Sequence, residues 1–100
     1  MKSTGKISQP RKLRHRLGLN QRQFWSAVGV TQSGGSRYES GRDIPRAVNE
    51  LLRLVHVEGI DLARVSGEHV AIADHLRSTN PRLYQRIRAQ VRTKARRNAR

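Results

Sequence analysis

The sequence contains no cysteine, and its aromatic residues other than histidine number four: one Phe, one Trp and two Tyr. Without cysteine there is no disulfide framework and no thiolate metal site, a composition at home in a reducing cytoplasm. Acidic residues are scarce and confined. All seven Asp and Glu lie between Glu39 and Asp74, so residues 1–38 and 75–100 carry basic charge alone. Long apolar runs are missing too. None approaches the length needed to cross a bilayer, and the basic N-terminus is not followed by an apolar stretch, so neither a membrane anchor nor a signal peptide is expected. The chemistry-bearing patterns of enzymes are likewise missing: paired carboxylates, a nucleophile elbow and a phosphate-binding glycine loop. His15, His56, His69 and His75 are scattered, and the 69/75 spacing does not make an i,i+4 metal pair, so these side chains read as surface or packing residues. No enzymatic activity, cofactor or metal is expected.

What is abundant is positive charge. Twenty-one Lys and Arg give a net charge of +14 in 100 residues. A surface of that sign attracts nucleic acid first, with anionic membranes and acidic proteins as lesser alternatives. The expected location is the cytoplasm, in association with the nucleoid. The length suits one small domain with an appendage, too small for a deep substrate cavity.

Along the chain, residues 1–9 (MKSTGKISQ) read as a flexible basic arm. From Pro10 apolar residues fall at helical spacing, with Leu13 and Leu17, and Gly18 stops this first helix. Asn20 caps a second, QRQFWSAV, whose inward residues are Phe24, Trp25 and Val28. Gly29 breaks it. Thr31 caps a third helix that ends at Ser40 before Gly41, and Pro45 suits the first turn of a fourth with the apolar stripe Val48, Leu51, Leu52 and Val55. A turn at 58–61 and one short helical turn at 62–65 complete a domain spanning residues 10–66. The remainder, 67–100, is a basic helical extension. In it HVAIADHLRS carries Ile72, Ala73 and Leu76 on one face. Asn80-Pro81 then opens a last helix with Leu83, Tyr84, Ile87, Val91 and Ala95 at three- and four-residue steps. No strand pattern or internal repeat is visible, and the fold class expected is all-α.

One stretch resists this reading. In GVTQSGGSRYESG, Gly34 and Gly35 fall together inside a short helix, where each costs roughly 1 kcal/mol relative to alanine.

Two short helices joined by a tight turn at Gly29 form a helix-turn-helix candidate. The stretch LNQRQFWSAVGVTQSGGSRYESGRDIP resembles the Xre-type, phage repressor/Cro-like DNA-binding domain. The matching residues are Leu19, Gln21, Phe24, Gly29, Val30, Thr31, Gln32, Ser36, Tyr38, Glu39, Gly41 and Pro45, without a gap, and the likeness runs from about Arg11 to Val65. It implies a five-helix domain, here followed by one or two additional C-terminal helices, that binds double-stranded DNA with its third helix in the major groove. Carried over to this chain, the base-contacting positions are Gln32, Ser33, Ser36 and Arg37. Their chemistry agrees: Gln pairs bidentately with adenine, Arg with guanine, and Ser is permissive. The implied backbone contacts are Gln21, Arg14, Ser40, Arg42 and Arg46. Arg14 and Glu39 occupy positions that pair across helices 1 and 3 in many relatives. The resemblance also speaks to the glycines. The position of Trp25 is usually small and that of Gly35 usually Ile or Val, so here a large indole faces an absent side chain. Gly34 is expected to point toward the DNA side. A recognition helix that is loose until DNA binds is the other reading of the pair.

Outside the resemblance, Arg82, Arg86, Arg88, Arg92, Lys94, Arg96 and Arg97 supply a nonspecific electrostatic surface. The expected function is sequence-specific duplex-DNA binding by a bacterial or phage transcriptional regulator acting as a homodimer, with no membrane partner. The alternatives are the antitoxin of a toxin–antitoxin pair, in which residues 67–100 grip a toxin, and nonspecific nucleoid or RNA binding by the basic ends. The dimer surface is left open between the fourth and fifth helices and the apolar stripe of the last.

Overall fold

The computed structural model describes residues 7–98, and side chains through residue 95. Residues 1–6 of the expected arm and the side chains of Arg96 and Arg97 lie outside the described residues. Within them every regular element is helical: α1 (Pro10–Leu17), α2 (Gln21–Ser26), α3 (Gln32–Glu39), α4 (Arg46–Leu52) with a π-helical continuation (Arg53–Val57), α5 (Gly67–Thr79) and α6 (Pro81–Asn98). The chain divides into two compact units, Met1–Leu62 and Ala63–Arg100. The sequence-based division after residue 66 falls instead at the start of α5.

In the first unit, local chemistry sets most helix ends. Pro10 begins α1, and Gly18 closes it in the left-handed region at φ 73°, a conformation that glycine adopts without penalty. Asn20 and Gln23 form a capping box: the Gln23 N–H donates to Asn20 Oδ1 at 2.8 Å and the Asn20 N–H to Gln23 Oε1 at 2.9 Å. Helix α2 is two residues shorter than its sequence pattern. Residues 27–29 tighten into a turn, with the Val30 N–H donating to the Trp25 carbonyl at 3.0 Å and Gly29 at φ 78°. Thr31 caps α3 through the Gly34 N–H. The helix closes with Gly41 N–H donating to the Tyr38 carbonyl and Arg42 N–H to that of Arg37, the paired bonds of a Schellman ending.

These helices enclose a small core of Leu13, Phe24, Trp25, Val28 and Leu52, with Leu19, Val30, Tyr38, Ile44, Val48, Leu51 and Val55 packed around it. The fourth-helix stripe is thus largely used up inside the unit. Phe24 lies between two aromatic neighbours, edge-on to Trp25 with centroids 5.2 Å apart and stacked on His56 at 4.1 Å. His56 Nε2 donates to the Phe24 carbonyl at 2.8 Å, which makes this histidine a packing residue. It is placed there by the π-helical turn, whose one-residue insertion per turn is invisible to a 3.6-residue pattern.

Two expectations need correcting. Residues 62–64 form a turn rather than a short fifth helix. The arm ends sooner than residue 9, because the Ile7 N–H donates to Asn49 Oδ1 at 2.9 Å and its side chain packs on the core.

The second unit is a pair of helices joined through Asn80. Ser66 caps α5 by accepting from the His69 N–H, and Asn80 caps α6 by accepting from the Leu83 N–H. The two helices pack on each other, yet among the described residues of this unit none is buried. Leu76, Leu83 and Tyr84 are half-covered, and the other side chains are exposed.

Candidate nucleic-acid interface

Helix α3 is held from behind by a single carboxylate. Glu39, in its last turn, has a fully buried side chain. Its Oε2 accepts from Arg14 Nε at 2.8 Å and from Trp25 Nε1 at 2.8 Å, and its Oε1 from Arg14 Nη2 at 3.0 Å and Gln21 Nε2 at 3.2 Å. Arg11 Nε reaches Oε1 from the rim at 3.5 Å. Helices α1, α2 and α3 therefore meet at one charged group. Burial pushes this carboxyl up. The hydrogen bonds from Arg14, Trp25 and Gln21, together with the charge of Arg14, outweigh that and bring it from its ordinary 4.5 down to about 2. A buried ion pair orients more than it stabilises, since desolvation offsets much of the attraction. Here the orientation it sets is that of α3.

The glycine pair is explained on the same side of α3. Gly35 is buried, and a Cβ built on it would overlap the Trp25 indole at Cδ1 and Cγ and lie 2.7 Å from Cδ2. Glycine leaves the space that the indole fills, and Trp25 is fully buried as a result. Close packing of one large and one absent side chain conserves the volume of the crossing. Gly34 departs from expectation. A Cβ there would sit 3.2 Å from Thr31 Oγ1 and 3.3 Å from Val30 Cγ1, so this glycine makes room for the helix cap and the turn rather than for DNA.

The opposite side of α3 is open and polar. Gln32, Ser33 and Arg37 are exposed and Ser36 is half-exposed. Ser33 Oγ lies 3.3 Å from Thr31 Oγ1. Glu39, the one acid of α3, is turned inward, while the loop after the helix carries the exposed Asp43. Beyond the helix end Ser40, Arg42 and Arg46 are exposed, with the Ser40 hydroxyl donating back to the Ser36 carbonyl at 2.9 Å. The structure thus gathers six of the nine residues singled out around α3 onto this helix and the loop after it, with Arg46 at the start of α4. Arg14 and Gln21 differ. The Arg14 side chain is 12% exposed and donates to Glu39 and, through Nη1, to the Leu19 carbonyl. Gln21 commits one amide N–H to Glu39 and remains half-exposed.

The Trp25–Glu39 bond was not read from the sequence. The signal was available: a buried indole N–H needs an acceptor, and Glu39 is the one acid within helices α2 and α3.

The basic residues of α6 whose side chains are described, Arg82, Arg86, Arg88, Arg92 and Lys94, are all exposed. Among the described residues no group of three His, Asp or Glu could hold a metal ion, and no helix is long and apolar enough to cross a membrane.

Comparison with known families agrees with this geometry. Residues 11–55 match the family described as the RsaL-like HTH domain. No curated protein and no solved structure gave a match. The chain carries a helix-turn-helix DNA-binding domain in its first unit.

Proposed function

We propose that the protein is a sequence-specific transcriptional regulator of the Xre type, working as a homodimer on duplex DNA with α3 in the major groove. The observation that carries this reading is the two-sidedness of α3. One side is locked by the Glu39 network and the Gly35–Trp25 fit, and the other presents Gln32, Ser33, Ser36 and Arg37 to solvent, with the helix's one acid turned inward. A rigidly held helix edge bearing amide and guanidinium groups suits base readout, which depends on fixed donor and acceptor geometry. Ser40, Arg42 and Arg46 then meet the phosphates beside it. Gln21 has a second amide N–H for a phosphate. Arg14 acts chiefly through Glu39, with any phosphate contact secondary. Arg82, Arg86, Arg88, Arg92, Lys94, Arg96 and Arg97 add affinity that is indifferent to sequence. Two copies are required because one unit reads only a few base pairs.

Selection of bound sequences from random duplex DNA at physiological salt tests this directly. A paired, approximately palindromic motif is expected, whereas equal affinity for every DNA and RNA tried would refute sequence-specific function. On the selected site, Gln32→Ala should lose about 1–3 kcal/mol and relax the preference at one position per half-site. An antitoxin would co-purify with a small protein encoded beside it.

A further inference from the structure

We infer that the α5–α6 pair is the dimerisation element of this protein, and that a second copy of the same pair covers its apolar stripe. The inference deepens the homodimer named above and rests on that reading. Ile72 and Leu76 share one face of α5, and Leu83, Tyr84, Ile87 and Val91 share one face of α6, by the roughly 100° that each helical residue turns. Only part of this stripe is used between the two helices. Ile72 and Val91 each remain 59% exposed and Ile87 38%. No residue of the unit is buried among those described, whereas most helical stability in proteins comes from a covered apolar face.

The stripe suits a second copy. A standard interface buries about 800 Å² per partner around an apolar centre, and the uncovered Ile72, Ile87 and Val91 supply such a centre on each copy. On α4 the competing stripe is occupied, with Leu52 fully buried and Val48, Leu51 and Val55 packed on the core of the first unit, while Val57 and Leu62 beyond it stay exposed.

Charge selects the arrangement. Helix α6 carries seven basic residues and no acid, while the acids of this unit, Glu68 and Asp74, are both on α5. Laying α6 on α6 would face like charges. A twofold that lays α5 of one copy on α6 of the other brings Glu68 toward arginines that flank the stripe, such as Arg88. The same helix turn sends Arg82, Arg86 and Arg92 to the half of α6 away from the stripe, where they stay free for phosphates. One helix thus serves dimerisation on one side and presents Arg82, Arg86 and Arg92 to DNA on the other, with Lys94, seven residues after Ile87, on the side of the stripe.

Sedimentation equilibrium of the full chain tests the inference, with Trp25 emission as a control because the single tryptophan lies in the first unit. The wild type is expected at twice the 11.4 kDa chain mass, and Val91→Leu should remain a dimer. Ile72→Asp and Val91→Asp should each weaken the dimer at least about tenfold, by burying a charge in an apolar interface, with Trp25 emission unchanged. These variants should keep wild-type affinity for a single half-site and lose the advantage of a paired site. A monomeric wild type at about 100 µM would overturn the inference, because a dimer weaker than that contributes little to regulation. So would dimers that survive both Asp substitutions. Loss of sequence preference in an intact dimer would instead refute the proposed function and leave the dimer element standing.

Discussion

The two units of this chain are both helical and both basic, but they are stabilised by different means. In the first, an indole, a phenyl ring and a carboxylate are buried, and among the described residues no buried side-chain polar atom lacks a partner. Bonds there link residues 14, 25 and 42 positions apart in sequence. In the second, the side-chain hydrogen bonds described within its two helices span three or four residues, as in Thr79 Oγ1 to the His75 carbonyl and Thr93 Oγ1 to the Ala89 carbonyl. Caps and helical turns hold it locally, and part of its apolar stripe stays exposed. The contrast separates two tasks. A recognition helix must be held at a fixed angle, which takes long-range contacts. A phosphate-binding helix needs only its charge and its length.

The largest expected effect probes that difference directly. Trp25→Ala should destabilise the first unit by about 3–5 kcal/mol, because it empties a fully buried site and strands a hydrogen bond to Glu39. Val91→Ala, on an exposed site, should change the stability of the dissociated chain by less than about 0.5 kcal/mol. Denaturant unfolding at low protein concentration, followed by circular dichroism, measures both. Equal losses would erase the distinction between the units.

Acid should act next, and on the first unit. The Glu39 carboxyl lies at about 2 in the folded protein against an ordinary 4.5, so between those values the unfolded chain binds the extra proton. The stabilisation is complete above about pH 5 and is lost as pH falls toward 2, a loss on the order of 3 kcal/mol. Trp25 emission as a function of pH and denaturant follows it. Glu39→Gln should be less stable near neutrality and should lack this part of the acid dependence. An unchanged pH profile would show that the carboxylate does not carry it.

Gly35→Ala comes third. Alanine is the better helix former by about 1 kcal/mol, but its Cβ meets the rigid indole, and overpacking of this kind costs about 1–3 kcal/mol. Loss of stability is therefore expected, and Trp25→Ala in the same chain should relieve it. A double-mutant cycle reads the coupling. Simple additivity, or a gain from Gly35→Ala alone, would favour a loosely held recognition helix instead. The smallest effect belongs to α6. Arg92→Ala should weaken cognate and random DNA alike and reduce the log–log salt dependence by about 0.9 for the phosphate released. Unequal losses on the two DNAs would move Arg92 from the electrostatic surface to base readout.

Much of this architecture follows from sequence because its determinants are local. Asn20, Thr31 and Asn80 cap helices through an N–H three residues away, and Gly18, Gly29 and Gly41 occupy the positive φ values that helix ends and the tight turn require. Apolar spacing marked α1, α2, α4, α5 and α6, the Thr31 cap and Gly41 marked α3, and the distribution of charge needs no structure at all. The candidate readout residues Gln32, Ser33, Ser36 and Arg37 were named from their place in the pattern, and the helix puts them on an open face.

Tertiary packing decided the remainder. That Glu39 accepts from Trp25 and Gln21 as well as from Arg14, that Gly34 serves the cap and turn rather than DNA, that His56 stacks on Phe24 from a π-helical turn, and that Ile7 is anchored to Asn49 all depend on how separate helices meet. Periodicity records which side of a helix is apolar. It does not record which neighbour covers that side, and so the same kind of stripe is filled on α4 and only partly covered on α6. Capping and helical phase are interactions within about four residues and are written into consecutive positions. The partner of a buried indole, a second carboxylate bond or an apolar face is selected by three-dimensional fit, which only the folded chain brings about.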